Sequence, residues 1–537
     1  MRKQMLSWGL ILSLLLTMLP VSAMAAESGE PEAEPTETIY TLSPDTEIHS
    51  ANTLTSTGTA DHSNHTGWTP LSGTIGSSNF NQDGKYYLNS DASTYQAITI
   101  SNDVTLCLNS NTLNIGQNTT FTVSSGATLT ICDCQSGGTI TGTESYINLN
   151  VISVEGGTLN LESGTISGTT TGSGSLISVT GGGTLNVTGG TISLEHTGSD
   201  AYNGVQAVKL SEDSTGSFIG GKVSLTTAVE NARATTVYQE GGIVTVGGSA
   251  EIVFEWTTTK DKPNSAPGYG ALCVTDSGAV TINTGCTITA SRTSGEMAGA
   301  VSIGKMINSN QFEHGTATIN GGDINGFLVV YGEANISNGS FAYIENRGTL
   351  TMTGGTVENE NEYGINYGIW TNVKNGETDL SNVTIKSATG IYVSTGLRPT
   401  IKDGVTINAT QYGVDGSATL VGAPSISGGI ADLYIYSMKA TTAYPSVDAT
   451  DYAGSNLTVQ EYKFPNAHQG GYIGCAIEVP QEKQNLFSLE NSDGNFVYRY
   501  DTENSALRLY NQNAHPICGA SCDHGDASHN DPAWQKW

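Results

Sequence analysis

Short runs of alternating apolar and polar residues recur along the chain, and glycine separates one run from the next. The segment GGTLNLESGTISG at 156–168 returns almost unchanged as GGTLNVTGGTISL at 182–194. In this part of the chain the runs LISV (176–179), TLNV (184–187) and TISL (191–194) are each only four residues long. Runs of this length, rich in Val, Ile, Leu and Thr, predict short β-strands with turns at the glycines.

One such unit cannot bury its own apolar face, but a stack of units can, with each strand parallel to its copy in the next unit. The repeat therefore predicts an all-β fold, a right-handed parallel β-helix over residues 80–444. A β-sandwich, the main rival, needs longer strands and hairpin turns and gives no reason for the near-identical repeats. In residues 445–512 glycine becomes rarer and the alternation surrounds Asp-Gly and Glu-Asn turns, which predicts a small antiparallel β-cap on the end of the helix.

The first 25 residues contain the three parts of a secretory signal peptide. They are a positive region at Arg2 and Lys3, an apolar run over 6–19, and the small-residue cleavage site Ala23-Met24-Ala25. No later run reaches the ~18 apolar residues of a membrane-spanning helix, so we expect no transmembrane segment. We expect a secreted, extracellular protein, associated with a cell surface if something else tethers it. Further segments are predicted as an acidic linker (26–60), a short His/Trp module (61–79) and a Cys/His/Trp module or tail (513–537).

The charge balance excludes one large class of partner. The chain has 21 Lys and Arg against 50 Asp and Glu, a formal net charge of −29. Nucleic acids need clustered Lys and Arg to neutralise their phosphates, so we expect no nucleic-acid partner. A solvated acidic surface explains the charge without any function.

The stacked pattern resembles the pectin-lyase-like parallel β-helix superfamily, which includes pectate lyases, polygalacturonases and non-catalytic adhesins. The segments at 84–115 and 126–142 are similar to the opening coils of large secreted surface proteins of anaerobic Gram-positive bacteria. The C-terminal HPICGASCDHGDASHNDPAWQKW (515–537) resembles the short Cys/His/Trp module that punctuates those proteins. The resemblance implies a non-catalytic, adhesin-like surface protein whose partners are polysaccharides or glycoprotein glycans.

A polysaccharide-degrading enzyme of the β-helix type, either a lyase or a glycoside hydrolase, is the alternative. The Asn-Thr-Asp, Asp-Asp and Gly-His-Gly motifs of polygalacturonase-like enzymes do not occur in the sequence. Glu358, Glu360 and Glu362 in VENENEYG are the best group of candidate acids, but a solvated turn explains them equally well. The sequence therefore favours binding without predicting a catalytic residue.

Two groups of cysteines are candidates for disulfide formation or metal binding. Cys107 and Cys132 lie 25 residues apart, about one coil, so they can stack as neighbours and form a disulfide or remain buried thiols. The C-terminal H-x2-C-x3-C-x-H-x4-H spacing suits a structural zinc, a Cys518–Cys522 disulfide, or neither. No other cofactor is expected. The candidate zinc ligands are His515, Cys518, Cys522, His524 and His529.

Three glycine-centred segments, YGIWTN, TGIYVS and YGVDGS, place Gly368, Gly390 and Gly413 one coil apart. In that register the residues after each glycine face the core, and the next residues stack on the outside. Exposed aromatic rings in a line can bind sugar rings, whereas packed rings would only form a ladder that stabilises the sheet. The candidate carbohydrate-binding residues are Tyr363, Tyr367, Trp370, Tyr392 and Asp415, and the predicted core residues are Ile369, Ile391 and Val414.

Overall fold

The chain winds as a parallel β-helix through the residues that the computed structural model describes. These are 65–144, 149–198, 204–211, 213–229, 233–257, 270–292, 299–308, 311–359, 365–372, 377–394, 396–435, 446–461, 476–490, 496–502 and 505–511. Strands from successive turns of the chain pair in parallel, and the apolar side chains inside the coils form one continuous core. The predicted all-β fold with parallel stacking is confirmed.

The strands form three sheets, numbered here in the order in which the chain enters them. Sheet 1 contains Val104–Cys107, Thr128–Cys132, Thr158–Leu161, Thr184–Val187, Thr215–Phe218, Ile243–Val246, Ala279–Ile282, Thr349–Met352, Glu377–Leu380, Thr400–Ile401, Ala418–Leu420, Ser446–Asp448 and Ala476–Glu478. Sheet 2 contains Thr112–Ile115, Thr139–Glu144, Thr165–Thr170, Thr191–His196, Lys222–Thr227, Glu251–Trp256, Thr287–Arg292, Thr356–Glu358 and Ser425–Gly428. Sheet 3 contains Ile98–Ile100, Phe121–Ser124, Ile152–Glu155, Gly174–Thr180, Val205–Leu210, Ala234–Glu240, Gly270–Thr275, Gly299–Ile303, Tyr367–Thr371, Ala431–Ile435, Leu457–Glu461 and Phe487–Leu489.

Some strands bend and continue from one sheet into the next. Thr69–Thr74 and Gly84–Thr94 belong to sheets 1 and 2, and Thr384–Val393 and Thr406–Asp415 belong to sheets 2 and 3. Thr316–Val330 and Glu333–Asn346 pass through all three sheets. The helical segments of the described chain are two short 3-10 turns, Ser77–Phe80 and Gln481–Leu486. None of them has the length and apolarity that a membrane crossing requires.

The near-identical repeats stack directly on each other. Thr158–Leu161 pairs with Thr184–Val187 residue for residue and without a register shift. Leu159 and Leu185 point into the core, where both are fully buried. On the outer face the side-chain amide of Asn186 donates to Oδ1 of Asn160 at 2.9 Å, so the repeated asparagines form a ladder between coils. The repeat therefore specifies both the core and the register.

The corners between sheets depend on glycine where neighbouring coils approach closely. Gly190 has φ +69° and lies against the equivalent corner of the previous coil. A Cβ atom on Gly190 would lie 2.6 Å from the carbonyl oxygen of Gly164. A side chain here would therefore meet both an unfavourable backbone conformation and a backbone clash.

The parallel stack extends on both sides of the range 80–444 that the sequence predicts. Thr69–Thr74 already pairs in parallel with Gly84–Thr94, and Phe487–Leu489 still pairs in parallel with Leu457–Glu461. At the C-terminal end, Phe487–Leu489 is three residues long and neither it nor Leu457–Glu461 contains glycine, so the repeat that marks the other coils is not visible in their sequence.

Apart from an isolated bridge between Ser124 and Gly156, antiparallel pairing occurs at two places in the described chain. Phe496–Asp501 and Ala506–Asn511 form a hairpin, and the second strand also pairs antiparallel with Ala476–Glu478 of sheet 1. This hairpin occupies the edge of the sheet, as a cap on a solenoid must. The second antiparallel pair, Lys305–Asn308 with Gln311–Glu313, is an insertion between two coils.

Candidate functional site

A row of outward-facing side chains runs along the C-terminal coils of sheet 3. Trp370 pairs in register with Tyr392, and Tyr392 pairs with Asp415. The preceding residues in each strand point inwards and are fully buried: Ile369, Ile391 and Val414. The predicted register of this row and its core residues is confirmed. The row continues from Asp415 to Tyr434 and then to Gln460.

Glycine fixes where each coil turns into this row. Gly368, Gly390 and Gly413 lie at the bend between sheets 2 and 3, against isoleucines of sheet 2. A Cβ atom on Gly368 would lie 2.6 Å from Cγ2 of Ile385, and the other two positions are at least as crowded. At these three positions a side chain would clash with the isoleucine of sheet 2.

The aromatic rings of the row pack partly against one another. Tyr367 and Tyr392 are stacked, with ring centroids 4.5 Å apart and planes 16° apart. Trp370 lies 6.2 Å from Tyr392 and is tilted by 51°. The rings are half-buried and do not lie in one plane, so they present edges and hydroxyl groups as well as ring faces. Tyr363 lies outside the described residues.

A second stacked pair extends the aromatic surface by two coils. Tyr412 and Tyr434 lie with ring centroids 4.4 Å apart and planes 20° apart. We use the name aromatic face for these rings together with the acid between them: Tyr367, Trp370, Tyr392, Tyr412, Asp415 and Tyr434. Tyr412 precedes Gly413 as Tyr367 precedes Gly368, which is a signal that the sequence carries. Tyr434 follows no glycine and carries no such signal.

Charged and polar groups hold Trp370 in place. Its indole Nε1–H donates to Oγ of Ser394 at 3.1 Å. The Arg347 guanidinium lies 5.9 Å from the Trp370 ring centroid, a cation–π contact. Arg347 is itself fixed by an ion pair with Glu345 at 2.5 Å, and Glu345 is the neighbour of Trp370 in the row.

Asp415 is the unusual member of the aromatic face. Burial raises the pKa of its carboxyl to about 7. Its Oδ1 atom is buried and has no hydrogen-bond partner among the described residues. The same holds for Oε1 of Gln460, so two oxygen acceptors along this row lack a donor from the described chain. A buried acceptor without a donor costs about 1–3 kcal/mol, which a ligand hydroxyl would recover.

The predicted acidic group does not gather into a site in the described chain. Glu358 is exposed and forms an ion pair with Lys386 of the next coil at 3.2 Å. Glu360 and Glu362 lie outside the described residues, as do the candidate zinc ligands His515, Cys518, Cys522, His524 and His529.

Cys107 and Cys132 are direct neighbours in adjacent strands of sheet 1, as their spacing predicts. Both are buried free thiols, and Cys134 lies beside them. A hydrogen bond with Cys132 lowers the pKa of the Cys107 thiol, and the same contact raises the pKa of Cys132. The pair thus has the stacked geometry that the sequence predicts, with the sulfurs not joined to each other.

Comparison with known proteins adds no functional assignment. The chain matches no family model, no curated protein and no solved structure.

Proposed function

We propose that this protein is a secreted, non-catalytic, adhesin-like surface protein that binds polysaccharides or glycoprotein glycans through the aromatic face. The observation that carries the proposal is the row Trp370, Tyr392 and Asp415, in which half-exposed rings adjoin a carboxyl oxygen without a donor.

Sugars present two chemical surfaces, and the aromatic face offers a partner for each. The C–H groups of a pyranose ring pack on aromatic rings, while its hydroxyls need fixed acceptors. Trp370 and Tyr392 supply the rings, and Asp415 supplies the acceptor. Because adjacent strands are about 4.8 Å apart, the face repeats its contacts along the helix axis. This repetition suits an extended chain of sugars better than a single small molecule.

Export of the protein rests on the sequence of residues 1–25, which has the form of a signal peptide. The acidic net charge of −29 suits a neutral or cationic glycan better than an anionic one.

One feature of Asp415 favours the alternative, a polysaccharide-degrading enzyme. A carboxyl whose pKa is raised to about 7 by burial has the property of a general acid. Glycoside hydrolysis needs a second carboxyl about 5–10 Å away. The neighbours of Asp415 in its row are Tyr392 and Tyr434, not a second acid. The arrangement therefore supports binding more strongly than catalysis.

The test is retention of the purified chain on a panel of immobilised polysaccharides. A Trp370→Ala, Tyr392→Ala double variant should weaken retention on the bound polysaccharide at least about tenfold, or about 1.4 kcal/mol. Tyr95→Ala is the matched control, because Tyr95 is 72% exposed and lies outside the aromatic face. Unchanged binding by a less stable double variant would mean that the rings only stabilise the sheet. Release of new reducing ends or unsaturated uronates by the unmodified chain would establish the enzyme instead.

A further inference from the structure

In the first coils, a cluster of cysteines lies on the outer face of sheet 1 and not in the core. In the strands Val104–Cys107 and Thr128–Cys132, Leu106 and Ile131 point into the coil and belong to the main core. Strand alternation therefore places Cys107 and Cys132 on the outer face, in register with Tyr87 of the preceding coil. Both thiols are nevertheless fully buried, so another segment must cover them.

That segment is a tight turn at the start of the described chain. The backbone N–H of Trp68 donates to the carbonyl of His65 at 3.0 Å, and Gly67 has the positive φ of +84° that such a turn requires. The rings of His65 and Trp68 meet edge to face, with centroids 5.4 Å apart and planes 77° apart, and Trp68 packs against the cysteines. His65 also stacks on Tyr87, with ring centroids 4.2 Å apart and planes 9° apart.

The donor atoms of the cluster converge on one point. Sγ of Cys107 lies 3.3 Å from Sγ of Cys134, which lies 3.6 Å from Nε2 of His65. All three atoms lie within 4.8 Å of one another. Bonds of about 2.3 Å from zinc to sulfur and about 2.0–2.1 Å to nitrogen place two sulfur ligands of a tetrahedral site about 3.8 Å apart and a sulfur and a nitrogen ligand about 3.5–3.6 Å apart. The distance from Cys134 to His65 matches that geometry, and the two sulfurs of Cys107 and Cys134 would need to separate by only about 0.5 Å. The Cys132 thiol packs against the same cluster but lies outside the three converging atoms.

The loop that carries Cys134 is held rigidly. Asp133 is buried, and its two carboxylate oxygens accept from the backbone N–H groups of Ser110 at 2.8 Å and Gly138 at 2.6 Å. The Cys134 thiol lies 3.5 Å from Oδ1 of Asn109, whose side-chain amide donates to the Leu88 carbonyl at 3.0 Å. The thiols are therefore positioned by neighbouring backbone before any ion binds, as supporting contacts do in metal sites.

We propose that His65, Cys107 and Cys134 form a structural zinc site that fastens the His65–Trp68 turn to the first coils. Cys132, which packs beside Cys107, would complete the tetrahedron after a rotation of its side chain. Soft thiolates with one imidazole are the ligand set that zinc prefers in closed structural sites. A Cys107–Cys134 disulfide is the competing chemistry, because closing the gap to about 2.05 Å needs only a small movement. It would leave Cys132 as an odd thiol and give His65 no partner in the cluster.

The test uses cobalt as a spectroscopic substitute for zinc in the fully reduced, chelator-treated full-length chain. A Cys518→Ser, Cys522→Ser background removes the C-terminal cysteines that could bind metal independently. We expect this background to bind one equivalent of Co²⁺, with sulfur-to-cobalt charge-transfer absorption and tetrahedral d–d bands. Cys107→Ser and Cys134→Ser should each weaken binding at least about a hundredfold, because losing a direct ligand should cost at least as much as the roughly 10–100-fold loss for a supporting outer contact. Cys286→Ser, a buried thiol in another coil, should change nothing.

A second measurement avoids any dependence on how the variants fold. In the background chain, Zn²⁺ should slow alkylation of Cys107 and Cys134 at least about tenfold and leave Cys286 unaffected. Failure of the reduced background to bind cobalt or zinc would overturn the proposal. It would also be overturned by equal binding in the Cys107→Ser and Cys134→Ser variants, or by equal alkylation with and without zinc.

Discussion

Replacing Asp415 by asparagine should remove a pH-dependent loss of stability from the C-terminal coils. Burial raises the pKa of the Asp415 carboxyl from 3.8 to about 7, so the folded protein retains a proton that the unfolded chain loses. Between those two values the folded state binds more protons than the unfolded state, and its stability therefore falls as the pH rises. Below about pH 4 and above about pH 7 this group contributes no further slope.

The size of the effect follows from the same two values. The difference between 3.8 and about 7 corresponds to at most about 4 kcal/mol at 1.36 kcal/mol per pKa unit. Asparagine has nearly the same shape and does not ionise, so the variant lacks this contribution. The variant should match the wild type near pH 4 and become more stable than it by up to about 4 kcal/mol at pH 8.

The assay is denaturant unfolding of both proteins at several values between pH 4 and pH 8, with the difference between them plotted against pH. Titrations elsewhere in the chain cancel in that difference. A carbon-detected NMR titration of the Asp415 carboxyl gives the midpoint directly. A midpoint near 4, or a stability difference that does not change with pH, would refute the reasoning that the carboxyl is held in a dry environment.

Two further predictions concern packing and charge. Gly390→Ala should destabilise the aromatic face by about 1–3 kcal/mol, because the added methyl group meets Ile407 and the Gly413 carbonyl; an unchanged thermal midpoint would contradict this. Lys305→Met should cost about 1–3 kcal/mol, because the Lys305 ammonium donates to the Tyr238 hydroxyl at 2.8 Å and pairs with a largely covered Glu313 at 2.8 Å. Its control is Lys209→Met, whose ion pair is about one-third exposed and should contribute at most about 1 kcal/mol to the free energy of unfolding. Equal losses in the two lysine variants would count against the argument.

The register of the coils could be predicted from sequence because glycine marks it. Gly368, Gly390 and Gly413 occupy the same crowded bend in successive coils, so their spacing fixes which residues stack. Tyr434 joins the same row from a coil without that glycine, and only the strand pairing reveals it. The repeat predicts the stacking of coils whose sequence contains it. It gives no prediction for coils whose sequence deviates from it.

Burial on the outside of the helix could not be predicted, because it depends on what covers each outer row. Cys107 faces outwards by strand alternation and is still fully buried, since a turn at His65 lies over it. His65 and Cys134 are 69 residues apart, and no periodicity connects them. Asp415 is a similar case, because its raised pKa results from burial on the outer face rather than from its own strand. Local patterns specify the inner rows, while contacts between distant segments decide the chemistry of the outer ones.

The residue-for-residue stacking of Thr158–Leu161 on Thr184–Val187 also bears on how such a chain can evolve. A gene segment encoding one such unit can be copied in tandem, and the copy finds matching strand edges on both sides without any compensating change. Each copy lengthens the molecule by one rung and adds new outer positions that are free to diverge, because the inner positions alone satisfy the core. Duplication can therefore change the length of the surface, and point mutation can change its ligand, independently of each other.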